Sequence, residues 1–316
     1  MNEERVLVTG GAGFIAGHVI RELLGRGYRV RATVRSRKPD LDGVEFVQAD
    51  LLDDAGWAEA VAGVDHVLHV ASPVRPGPVA NEDDLIVPAR EGTVRVLRAA
   101  RDAGVRRVVL TSAFHAAGFG HPHTGHVFTE DDWSVLDGPG MDAYGRSKVF
   151  AERAAWEFDR GAMELTTLLP VAVLGPVLGS EISGGNHIVQ RMLTGQMPGF
   201  PDIYLPVVDV RDVADAHVRA MVTPGVDGER FLIANGPAIA LKDIGATLRE
   251  HLGERAARVP AATIPDEVVR TTPAMRAFVG ELGYRKQISN DKARRVLGWQ
   301  PRPAEEAIVA AGRSLS

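Results

Sequence analysis

Three observations predict an α/β fold with a doubly wound parallel sheet. Short Val- and Leu-rich runs alternate with helix-length amphipathic segments through the first half of the chain, a glycine-rich turn divides the first run from the first helix, and beyond Pro170 the texture shifts to Gly and Pro. In order, the strand-like runs are RVLVTG, YRVRATV, VEFVQAD, DHVLHVA, RRVVLTS and ELTTLLPVAVLG, with a helical stretch to about Gly25 after the first. DAYGRSKVFAERAAWEF reads as a helix because Phe150, Ala154 and Phe158 recur at i+4, and Asp142 is placed to cap it. Past Pro170, GPVLGSEISGG and TGQMPGFPD surround one short helix, NHIVQRML, after which LPVVDV and ERFLIAN are expected to return to the sheet and a helical segment to close the chain. These boundaries divide the chain into an α/β domain over 1–170 and 205–235 and a smaller, discontinuous lobe over 171–204 and 236–316.

The composition bounds the function. With 316 residues, 45% apolar and 24% charged, the chain can bury a sizeable core. A net charge of -5 with scattered basic residues gives no general attraction to phosphate backbones, so nucleic acid is not an expected partner. There is no cysteine, which excludes disulfides, thiolate zinc sites and thiol catalysis. The polar, acidic start carries no basic region followed by an apolar one, and the longest apolar stretch falls well below the roughly 18 residues of a membrane span; a cytoplasmic protein is expected.

VLVTGGAGFIAG sets Gly10, Gly13 and Ala16 in a G-x-x-G-x-x-A pattern between strand and helix. The first glycine permits a tight turn, the second a close backbone approach to a pyrophosphate, and the small third residue tight packing of helix on strand, with Phe14 and Ile15 opening the helix whose N-terminus faces the phosphate. This is the dinucleotide-binding arrangement of a Rossmann domain, against which a purely structural glycine turn is the plain alternative. At the end of the second strand, where an NAD site offers a carboxylate to the ribose, stand Arg35, Ser36, Arg37 and Lys38. A guanidinium pairs with a 2′-phosphate that a carboxylate would repel, so NADP(H) is the expected cofactor, held by Arg35 first and Lys38 second; a solvated basic loop is the competing reading.

Tyr144 and Lys148 lie one turn apart on one face of the helix that Asp142 begins. Together, TGGAGFIAGH, YGRSK and VDVRDVADAH resemble the extended short-chain dehydrogenase/reductases, and VRATVR, HVASP, TEDDW and DKARRVLGW are most similar to dihydroflavonol reductases, cinnamoyl-CoA reductases and related NADPH-dependent carbonyl reductases. The resemblance spans nearly the whole chain. It implies that Tyr144 is the general acid that protonates a substrate carbonyl as hydride arrives, and that Lys148 lowers the phenol pKa from about 10 and holds the nicotinamide ribose. It further places Asp50 and Leu51 beside the adenine, Val70 and Ala71 on the adenosine side and Pro170 at the nicotinamide amide. The lobe formed by 171–204 and 236–316 becomes the substrate-binding lobe, and the protein a monomer or homodimer.

In the resembling enzymes a serine at the end of the fifth strand binds the substrate carbonyl. The segment here is LTSAFH, and Ala113 stands where that serine belongs. If the chain leaves the sheet after Ser112, Ser112 becomes the donor. If the strand continues regularly, Thr111 inherits the correct side one step back; otherwise His115 or a water fills the role. Ser72, Pro73, Phe114, His115, His187 and Met192 are candidate substrate contacts, with packing as the alternative for each. His115, His121, His123 and His126 cluster in sequence, but the Gly/Pro-rich GHPHTGH segment favours a loop over a metal site, and no metal is expected. The leading function is an NADPH-dependent reductase of aldehydes or ketones, reversible as an alcohol dehydrogenase. Its rivals are an NAD-dependent sugar-nucleotide epimerase or dehydratase and a noncatalytic NADP-binding sensor.

Overall fold

The computed structural model describes residues 4–36, 38–73, 79–179, 182 and 184–316. Seven strands form the central sheet: β1 (Arg5–Val8), β2 (Arg29–Val34), β3 (Val44–Gln48), β4 (His66–His69), β5 (Arg107–Thr111) and, beyond the short β6 (Val127–Phe128), β7 (Glu164–Pro170); after β8 (Ala172–Leu174), β9 (Tyr204–Leu205) and β10 (Val207–Asp209), β11 (Arg230–Ile233) completes it. The order is β11-β7-β5-β4-β1-β2-β3, and each neighbouring pair runs parallel. Helices cover both faces, which is why the inner strands read as almost unbroken apolar runs. The order reverses between β1 and β4, and the crevice at the carboxyl ends of those strands is where this topology binds ligands.

On one face lie α1 (Phe14–Gly25) and, later in the chain, α6 (Val210–Val222), sharing a core with Val6, Val8 and Leu68. The opposite face carries α2 (Trp57–Val61), α3 (Asp83–Asp102) and α4 (Ala143–Glu157), packed on Leu7, Val67 and Leu110. A second apolar cluster joins α5 (Asn186–Leu193), α7 (Leu241–Leu252), α8 (Asp266–Thr271) and α10 (Ala304–Leu315) around Phe200, Ile244 and Leu248. The remaining helix, α9 (Asp291–Leu297), lies against β11 and α6. Short pairs tie the periphery together: β10 with β8, β9 with β12 (Ile239–Ala240), and β6 with β13 (Gln287–Ile288).

Two expectations about strands are corrected. ELTTLLPVAVLG is not one strand: it breaks after Pro170, where the Val171 amide still reaches Ile233 O at 3.2 Å but the Ala172 amide turns to Pro206 O at 3.1 Å. LPVVDV follows that departure and pairs with β8 outside the main sheet, so of the two returning segments only ERFLIAN rejoins it, as the edge strand β11. Among the described residues no helix is long and apolar enough to cross a membrane.

Candidate active site

The glycine turn is built for close approach. Gly10 has φ +70°, which favours glycine, and a Cβ there would lie 3.1 Å from the Ala71 Cβ. Its amide donates to Thr33 Oγ1 at 3.0 Å, and the Gly13 amide donates to Gly10 O at 2.8 Å. Gly13 occupies the cap position of α1 with no side chain to offer, so the amides of the first turn, beginning with Phe14 and Ile15, are left for a ligand to meet. Thr9 Oγ1 accepts the Ala71 amide at 2.9 Å and contacts His69 Nδ1 at 2.8 Å, clasping the end of β1 to the end of β4.

Around this turn the other expected cofactor residues find their places. Arg35 and Lys38 follow β2, are exposed, and have no carboxylate partner among the described residues; Arg37 lies outside those residues. Asp50 Oδ1 caps the turn at Leu52 N (3.0 Å), and Leu51 packs against Gly92 of α3. Val70 is half-buried against the sheet core, and Pro170 is buried at the end of β7. An uncapped helix start, a glycine cradle and two unpaired cations fit a dinucleotide carrying a 2′-phosphate.

Tyr144 and Lys148 stand in the first turns of α4, whose start Asp142 fixes by accepting the Gly145 amide at 2.7 Å. Lys148 Nζ donates to Ser72 Oγ at 3.0 Å and lies 5.6 Å from the centre of the Tyr144 ring. Ser72 neighbours Ala71, so one short segment joins the lysine to the glycine turn. Burial lowers the Lys148 pKa to about 8 against the opposing charge of Glu152. Tyr144 is pushed up to about 12, first by burial and then by Asp142. The expectation that Lys148 depresses the phenol is thus reversed in the protein alone, because desolvation outweighs an ammonium turned toward Ser72.

Both candidate hydroxyls at the end of β5 are already committed. Ser112 Oγ donates to Glu152 Oε2 at 2.6 Å, and the same carboxylate accepts Thr167 Oγ1 at 2.9 Å and Arg230 Nε at 2.7 Å. Thr111 points to the other face, where its hydroxyl meets His217 Nε2 at 2.7 Å; His217 Nδ1 in turn donates to Val213 O. Of the proposed substrate contacts, Phe114 and Met192 are corrected: Phe114, 1% exposed, packs edge-on against Phe119 and Phe128, and Met192, 0% exposed, fills the second apolar cluster. His187 is exposed on α5, and Pro73 is half-buried beside Ser72. His115 does reach the Tyr144/Lys148 pair, its ring 5.0 Å from that of Tyr144 at 78°.

The other histidines disperse: His121 Nε2 contacts Ala117 O, His123 Nε2 contacts Gly280 O, and His126 pairs with Asp132. Among the described residues no three metal-ligating side chains converge. Sequence reasoning passed over Glu152, although its place one turn after Lys148 was a readable signal; it also passed over Phe119, four residues after His115 and stacked on it, and Lys286, which reaches the Phe119 ring only through the fold.

A doubly wound sheet, a glycine turn at its switch point and a Tyr/Lys pair beside it define a dinucleotide-dependent protein of the short-chain dehydrogenase/reductase type. The chain matches the NAD dependent epimerase/dehydratase family over residues 6–234 and belongs to that family. It is 33% identical to the ketoreductase azaE of Aspergillus niger, over 93% of this chain and 92% of that protein. It is 35% identical to cinnamoyl-CoA reductase 1 of Oryza sativa subsp. japonica, over 78% of this chain and 76% of that one. The crystal structure of yeast methylglyoxal/isovaleraldehyde reductase complexed with NADPH is similar at a TM-score of 0.81 and 25% identity, covering 98% of both chains.

Proposed function

We propose that the protein is an NADPH-dependent reductase that converts the carbonyl of an aldehyde or ketone to an alcohol, with the reverse reaction an alcohol dehydrogenase. The observation that carries this reading is the Tyr144/Lys148 pair on α4, joined to the glycine turn through Ser72 and Ala71. The ketoreductase and cinnamoyl-CoA reductase relatives support the same class. When bound, NADPH supplies the hydride. Gly10, Gly13 and the start of α1 would hold its pyrophosphate, Arg35 and Lys38 its 2′-phosphate, and Lys148 its ribose.

Tyr144 carries its proton at neutral pH, since its pKa lies far above, and this is the form an acid needs for reduction. The phenol hydroxyl gives its proton to the substrate oxygen as negative charge gathers there. The Lys148 ammonium then steadies the phenolate left behind. The lobe of 171–204 and 236–316 is the substrate-binding lobe in this proposal, which also takes the substrate to be a small molecule and the setting cytoplasmic; the cysteine-free composition supports the latter.

The test is NADPH oxidation by the purified protein with a panel of aromatic and aliphatic aldehydes and ketones, compared with NADH. Turnover that prefers NADPH is expected. Tight NADPH binding without turnover of any carbonyl would sink the reading in favour of a sensor, and NAD retained through purification would favour an epimerase or dehydratase.

A further inference from the structure

We propose that His115 supplies the second hydrogen bond to the substrate carbonyl oxygen, beside Tyr144 and in place of the hydroxyl that position 113 lacks. The inference rests on the carbonyl-reductase reading of the same site. A lone phenol leaves the developing alkoxide with one donor, whereas sites of this chemistry depend on at least one more fixed donor. The backbone at Ala113 is extended, φ -156° and ψ 156°, and a methyl group there offers nothing. Thr111 and Ser112 precede it, but each spends its hydroxyl on a buried partner, His217 and Glu152. The next polar side chain is His115, on the 3₁₀ turn Phe114–Ala116 that carries the chain off β5.

The imidazole is held in place. It stacks on Phe119 with ring centres 4.0 Å apart and planes 9° from parallel, while Lys286 Nζ sits 4.4 Å from the centre of the same Phe119 ring. The Tyr144 ring centre lies 5.0 Å away at 78°, which makes the imidazole a direct neighbour of the phenol. Among the described residues neither nitrogen of His115 has a hydrogen-bond partner, and the side chain is half-buried. The charged groups that act on it are Asp142 at the start of α4, Lys148 on α4 and Lys286. Burial outweighs Asp142 and brings its pKa down to about 4, so the ring is neutral and carries one N–H to donate.

The experiment compares kcat for NADPH-dependent carbonyl reduction, NADPH affinity and thermal stability in the wild type, His115→Phe and the double variant His115→Phe with Ala113→Ser. His115→Phe keeps an aromatic ring for the stack and removes the donor. A fall in kcat of about a hundredfold is expected, with NADPH affinity and melting temperature unchanged, and Ala113→Ser should restore a large part of it. Unchanged kcat in His115→Phe overturns the proposal, as does a loss that the serine does not relieve. If His115→Phe fails to fold, His115→Leu carries the same comparison. A wild type that reduces no carbonyl overturns the reductase reading itself, and is seen before any variant is made; an active wild type with an indifferent His115→Phe overturns the histidine alone.

Discussion

Replacing Ser112 by alanine separates a structural hydroxyl from one that faces the substrate. Ser112 is 5% exposed, and its hydroxyl donates at 2.6 Å to the carboxylate of Glu152, a residue 1% exposed. A hydrogen bond to a charged group contributes about 1.5–3 kcal/mol. Glu152 keeps its bonds to Thr167 and Arg230, so the carboxylate is not stranded and the lower part of that range applies. About 1.5–2 kcal/mol corresponds to a fall in melting temperature of roughly 2–3 °C for a chain of this size. Thermal melts and steady-state kinetics on the same preparation supply the assay: the melting temperature should drop while kcat stays close to that of the wild type. A melting temperature that does not move, together with a loss of about a hundredfold in kcat, would show that Ser112 serves the substrate and that its bond to Glu152 has been misjudged.

Tyr144→Phe should lower turnover by about a hundred- to ten-thousandfold, with NADPH binding retained in a fluorescence titration; appreciable residual turnover would remove the phenol from the proton step. Arg35→Ala should weaken NADPH by about 1.5–3 kcal/mol and leave NADH unaffected, since the lost partner is the 2′-phosphate; equal losses for both cofactors would place Arg35 elsewhere. In the cofactor-free protein Lys148 has a folded pKa of about 8, below its unfolded value, so the unfolded chain binds the extra proton between there and the usual lysine range. Wild-type stability in urea should therefore rise relative to Lys148→Met as pH climbs from 8 toward 10, by up to about 1.4 kcal/mol per pH unit, and parallel curves would argue against a desolvated amine. His69 and His217, lowered by burial to about 3 and about 4, are neutral in the fold, so stability should be lost as pH falls below the unfolded histidine value near 6.5; urea midpoints at pH 7, 6 and 5 check this, and equal midpoints would contradict it.

What local chemistry determines was legible in advance. Gly10 needs its positive φ for the turn, Asp142 caps α4 because its short carboxylate reaches the Gly145 amide, and the inner strands are apolar because both faces are covered. What depends on distant partners was not. The side chains that claim Ser112 and Thr111 lie 40 and 106 residues further along the chain, so no local pattern announces that those hydroxyls are spent. Phe114 and Met192 have the composition of pocket residues but were taken up by cores, and the Tyr144 pKa moved opposite to expectation because desolvation is a property of the assembled cleft. LPVVDV had the periodicity of a sheet strand, and the turn-off at Pro170 redirected it.

Arg230 gives the Tyr144/Lys148 pair a fixed mount. From the edge strand β11 it grips Glu152, four residues past Lys148 on the same helix, while its Nη1 donates to the carbonyls of Glu130 and Asp132 in the segment before α4, and its guanidinium lies 3.9 Å from the Trp133 ring centre. One side chain thus anchors both the approach to the helix and its middle turn to the sheet. The position of Tyr144 above the strand ends is thus fixed from below, through the Glu152–Arg230 ion pair. If the second lobe admits the substrate as proposed, its loops are free to lengthen, shorten or change character without loosening this mount.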